Sequence, residues 1–136
     1  MSRRKSRELA LQILFQEDLS GSDSKEVVVS FWKSRSGGGA RKYADELFRH
    51  AIENESLIEE LIRRFTKHWR LERIAAVDRN ILRMAVAEFL FTETPNVVVI
   101  DEAIEIARKY GSEKSPEFVN GILDSIRQEI ERSPNE

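Results

Sequence analysis

The sequence contains no cysteine. That absence rules out a disulfide framework, a thiolate metal site and a cysteine nucleophile, and it suits a reducing compartment. Histidines are scarce as well. His50 and His68 are the only two, and neither has a second ligand at the i, i+4 spacing of a helical zinc motif, so both read as structural or surface side chains and no metal or other cofactor is expected. No run approaches the roughly 18 apolar residues of a membrane span, and the opening Met-Ser-Arg-Arg-Lys lacks the apolar stretch that follows a signal peptide's basic start. The chain reads as soluble and cytosolic. An excess of one charge is also missing, since 22 Lys and Arg face 24 Asp and Glu for a net −2, which argues against a protein that coats nucleic acid through a wholly basic surface.

Catalytic signatures are missing too. There is no GxxxxGK followed by Ser or Thr, no GxGxxG after a strand and no GxSxG elbow. Gly37-Gly38-Gly39 has neither the preceding strand nor the following lysine of a phosphate cradle. Carboxylate pairs such as Glu59-Glu60 and Asp101-Glu102 are adjacent on a helix, point in different directions and cannot share one scissile bond. No residue makes a case for catalysis.

What the sequence does hold is helical periodicity. At 136 residues and 40% hydrophobic content it fits one domain spanning residues 1–136. Apolar positions recur every three or four residues almost throughout, so the fold should be all-α, with about seven helices. A first helix is expected from near Ser2 to Ser6 as far as Asp18, ended by Leu19-Ser20-Gly21, and a second over Lys25–Trp32. The segment 33–40, with three consecutive glycines, reads as a flexible loop. A third helix is expected over Arg41–Glu53, and a fourth capped by Ser56 with Glu59 in the capping-box position. The fifth spans Asp78–Thr92, stopped by Pro95. The sixth spans Val99–Tyr110, with Gly111 supplying a left-handed end. The seventh is capped by Ser115 ahead of Pro116. Gly121 falls inside that last helix, where close approach of another backbone would explain it.

Positive charge is concentrated at one end. The arm 1–7 holds Arg3, Arg4, Lys5 and Arg7 with no acid, leaving 18 cations against 24 acids, a net −6, in the rest. Arginine forks suit phosphate oxygens and stack on base faces. Phe15, Tyr110 and Phe118 are the aromatics that could stack unpaired bases beside that arm, although each also fits its helix's apolar face.

Three stretches together resemble the NusB family of bacterial transcription antitermination factors: Arg3-Arg-Lys-Ser-Arg-Glu-Leu-Ala-Leu-Gln-Ile-Leu-Phe15; Val77-Asp-Arg-Asn-Ile-Leu-Arg-Met-Ala-Val-Ala-Glu-Phe-Leu90 with Pro95 and Ile100-Asp-Glu-Ala-Ile-Glu-Ile-Ala107; and Lys109-Tyr-Gly-Ser-Glu-Lys-Ser-Pro-Glu-Phe-Val-Asn-Gly-Ile-Leu-Asp124. The resemblance covers nearly the whole chain in order and is weakest over residues 20–40. It implies two small three-helix bundles packed together, binding to the boxA element of nascent ribosomal RNA as a heterodimer with NusE, a small-subunit ribosomal protein, and support of RNA polymerase against termination. Carried over position by position, it implies RNA contact by Arg3, Arg4, Lys5, Arg7, Gln12, Phe15, Tyr110, Lys114 and Phe118, with Lys114 standing where some relatives carry an acid. It implies that Glu72, Asp78 and Arg83 face NusE, the acids suiting a basic ribosomal protein. Homodimerisation is left open. The alternatives are a NusB-like accessory domain of the kind that precedes the catalytic domain of ribosomal RNA cytosine methyltransferases, and a purely protein-binding helical bundle with an inert arm.

Overall fold

The computed structural model describes residues 3–67 and 73–132. Among them the chain is all-helical: α1 (Arg3–Ser20), α2 (Ser24–Lys33), α3 (Arg41–Glu53), α4 (Glu55–Arg64), α5 (Ala76–Phe91), α6 (Asn96–Tyr110) and α7 (Ser115–Arg132). None is long and apolar enough to cross a membrane.

The helices fall into the two expected groups, α1–α2–α3 and α5–α6–α7, and α5 is the element both share. It packs against α1 and α3 on one side and α6 and α7 on the other, with α4 lying on α5, α3 and α7. Residues 80–89 of α5 are buried all round rather than along one stripe, as a helix covered by neighbours on every side requires. One continuous core results, running from Leu9, Ile13 and Leu14 of α1 through Ile81, Leu82 and Val86 of α5 to Leu123 and Ile126 of α7. Fully burying each such side chain contributes about 1.5–3 kcal/mol.

Several local expectations are corrected. Ser56 lies inside α4, whose N-cap position is Asn54; the Asn54 amide instead donates to the His50 carbonyl at 2.9 Å, closing α3. Ser115 is the first residue of α7, and its hydroxyl accepts from the Ser112 N–H at 2.9 Å, so it fixes the corner rather than capping the helix. Gly111 is extended, with φ −95° and ψ −167°. A Cβ there would lie 2.4 Å from Ser115 Oγ, so close approach, not left-handed backbone, demands glycine. The reverse holds at Gly121, where an added Cβ meets nothing within 4 Å and no neighbouring backbone approaches.

The glycine-rich segment contains a single 3-10 turn, Gly38–Ala40, entered through left-handed Gly37 at φ 69°. The Trp32 ring occupies the space a Gly37 Cβ would need, Trp32 Nε1 donates to Asp45 at 2.8 Å, and Ser6 Oγ donates to the carbonyl of buried Ala40 at 2.9 Å. These contacts bring the end of α2 and the start of α3 onto α1 beside the arm.

Candidate nucleic-acid interface

The basic arm is the first turn of α1. Arg3, Arg4 and Lys5 are exposed, whereas Arg7, one turn on, is only 4% exposed. Arg3 and Arg7 share one face of α1, so the split comes from depth: Arg3 stands at the open end of the helix, whereas Arg7, one turn further in, is covered by α5. There the Arg7 guanidinium donates to both Glu88 oxygens, at 2.7 to 3.1 Å. Burial opposes the charge on Arg7, but the Glu88 carboxylate more than offsets it and holds the guanidinium protonated. Glu88 also accepts from the Tyr43 hydroxyl at 2.8 Å, and burial together with that carboxylate pushes the Tyr43 phenol above its ordinary value. Arg3 lies 3.7 Å over the Tyr43 ring, within cation–π range.

Arg4 makes a bidentate pair with Glu102 of α6, at 2.7 and 3.0 Å. The hydrogen bonds hold the Glu102 carboxyl below the usual carboxylate range and raise Arg4. One turn along the same face of α1, nearly buried Glu8 accepts from Lys109 at 3.1 Å and from the Tyr110 hydroxyl at 3.3 Å, which raises Lys109. Arg4, Glu8 and Gln12, spaced by four, form one row facing the end of α6.

At the end of that row the structure brings Gln12, Phe15 and Tyr110 together around one depression of about 320 Å³. Lys114, exposed, and Phe118, half-buried against the core, follow at the start of α7. Three features of this face escaped the sequence. Arg35, from the segment read as a loop, lines the same depression, its guanidinium 4.1 Å over the Phe31 ring and bonded to the Phe31 carbonyl. Glu8 and Glu102 are the others. A lone acid within a basic stretch and another some hundred positions away carry no signal of pairing.

Of the positions expected to face a protein partner, Asp78 and Arg83 lie on α5. Glu72 lies outside the described residues, as does His68. Asp78 is in the first turn of α5, where an acid suits the helix dipole, and its Oδ1 is buried with no hydrogen-bond partner among the described residues. Arg83 is 3% exposed. It donates to Asn80 at 2.7 Å and pairs with Glu17 at 3.7 Å, beside the Arg79–Asp18 pair. Together these tie the end of α1 to α5.

Fold and site together define an all-helical two-bundle protein with a ring-lined depression beside a cationic helix start. The chain belongs to the NusB family, whose model matches residues 4–128. It is 48% identical over 133 residues to the transcription antitermination protein NusB of Koribacter versatilis (strain Ellin345), covering 96% of this chain and 91% of that one. A solved T. maritima NusB superposes with a TM-score of 0.86 at 40% identity, covering 95% of this chain and 92% of the other. A crystal structure of antitermination factors NusB and NusE in complex with dsRNA is similar with a TM-score of 0.82 at 30% identity, covering 93% and 96%. Family membership assigns the chain to transcription and not to catalysis.

Proposed function

We propose that this chain is a transcription antitermination factor that binds boxA-type single-stranded RNA of nascent ribosomal RNA together with NusE, and thereby keeps RNA polymerase processive in the cytoplasm. The observation that carries this is the convergence of Gln12, Phe15 and Tyr110 on one depression, joined through Glu8 and Arg4 to the exposed arm. Rings accept bases by stacking, the Gln12 amide both donates and accepts toward a base edge, and the arm supplies phosphate contacts.

The residues divide by role. Arg3, Arg4, Lys5, Lys114 and Arg35 meet the RNA backbone, while Phe15, Tyr110 and Phe118 form the stacking wall. Arg7, committed to Glu88, acts by fixing the arm's direction. Asp78 and Glu72 face NusE, and Arg83 holds the α1–α5 junction beneath that contact. Both the relatives' name and the NusB–NusE–dsRNA neighbour support the assignment.

A gel-shift titration with boxA RNA and a scrambled sequence, with NusE present and absent, tests it. The expected result is tighter binding of boxA, enhanced by NusE. Equal affinity for both RNAs under both conditions would instead favour a purely protein-binding bundle.

A further inference from the structure

A second, larger cleft of about 850 Å³ opens on the other side of the arm, between α1, α3 and the α5–α6 connection. Its α1 wall carries Arg3 and Arg4. Its floor carries Tyr43 and a parallel ring pair, His50 and Phe91, with centroids 5.3 Å apart and planes 14° from parallel. Glu46, between Tyr43 and His50 on α3, and Glu93 of the α5–α6 connection also line the cleft. Arg4 also lines the small depression that holds Glu8 and Lys109, and Glu8 bonds Tyr110 of the first site. Three depressions therefore follow one another along α1, from residue 3 to residue 16, about 20 Å of helix at 1.5 Å per residue.

We propose that the RNA track does not end at the arm but continues into this cleft, which takes one further unpaired nucleotide flanking the boxA segment. This rests on the RNA-binding function argued above and extends it to a site of its own. The charge layout sets the nucleotide's orientation. Phosphate belongs at Arg3, the cation of the lining that meets no carboxylate among the described residues, because Glu46 and Glu93 repel it elsewhere in the cleft. The base enters over the His50–Phe91 pair, where stacking tolerates any sequence and needs no net positive charge. The near-neutral lining favours this arrangement over a run of several phosphates, since Arg4 and Arg7 are already matched by Glu102 and Glu88.

The test compares a minimal boxA RNA with the same RNA extended by three unpaired nucleotides at the 5′ or the 3′ end, titrated against wild type, His50→Ala and Val98→Trp. Val98 is an exposed residue of α6 on the cleft's edge, so tryptophan there fills the space without disturbing the core. Extension at one end should tighten wild-type binding at least fivefold. Both variants should lose that gain while keeping wild-type helicity and wild-type affinity for the minimal RNA. No gain from either extension, or a gain that both variants retain, overturns the proposal while leaving the boxA function standing. Failure of wild type to bind the minimal RNA overturns that function and this extension together. Saturation of the cleft by micromolar adenosine monophosphate without RNA would identify a free nucleotide as the ligand and likewise overturn an RNA track.

Discussion

The Arg7 guanidinium and the Glu88 carboxylate meet in the core, with side chains 5% and 1% exposed and N to O distances from 2.7 to 3.1 Å. This pair joins α1 to α5 and, through the Tyr43 hydroxyl, to α3. Removing one partner strands a buried charge, so Glu88→Ala should destabilise the fold by ~3–5 kcal/mol. Replacing both, as in Arg7→Met with Glu88→Leu, should cost less than the sum of the single changes. Chemical denaturation of the four proteins in the cycle measures the coupling; additive losses would show that the pair is not a unit.

The exposed cations behave differently from Arg7. Alanine at Arg3, Arg4 and Lys5 together should leave helicity intact and weaken RNA binding. If each meets one phosphate, the slope of log K against log salt should become shallower by about 2, from ~0.7 per contact on a single strand. Affinity measured at four salt concentrations decides this, and an unchanged slope would remove the arm from the interface.

Glu102 already holds the Arg4 guanidinium, so on the proposed interface RNA has to displace it. Glu102→Gln should therefore raise RNA affinity a few-fold, since a neutral amide releases the guanidinium to phosphate. The pair also has a pH signature. The Glu102 carboxyl is held below its ordinary value of 4.5, so its stabilising effect is present in full above that pH and fades as pH falls through the lowered folded value. Thermal melts of wild type and Glu102→Gln should differ by a constant amount from pH 7 down to about 5 and converge in more acid solution.

Gly121 is helical and its missing Cβ faces open space. Gly121→Ala should stabilise the protein by about 0.5–1 kcal/mol through the lower entropy of the unfolded chain. Gly111→Ala should do the opposite, because its Cβ would collide with Ser115. Urea midpoints of the two variants, shifting in opposite directions, check both.

The helices were legible because each has an apolar face at the helical period, and Pro95 and Gly21 stop α5 and α1 where punctuation predicts. Gly21 does adopt a positive φ, 69°. Caps were less legible. Ser56 and Ser115 have capping chemistry, but α4 starts before Ser56 with Asn54 at its N-cap position, and the Ser115 hydroxyl accepts from the Ser112 N–H instead. The arm was visible as a run of cations, yet nothing local separates Arg7 from Arg3 and Arg4, because its partner Glu88 is 81 positions away. Arg35 was hidden for a similar reason: its place beside the depression depends on Phe15 and Tyr110, distant in sequence, lining the same space.

The most direct test of the interface is a two-dimensional NMR titration of the protein with minimal boxA RNA, following backbone amides. Binding along the proposed face predicts shifts concentrated at residues 3–16, at Arg35 and at residues 109–118, with the Tyr110 region among the largest. Shifts confined to α4 and the C-terminal half of α7, with α1 and Tyr110 unmoved, would contradict it.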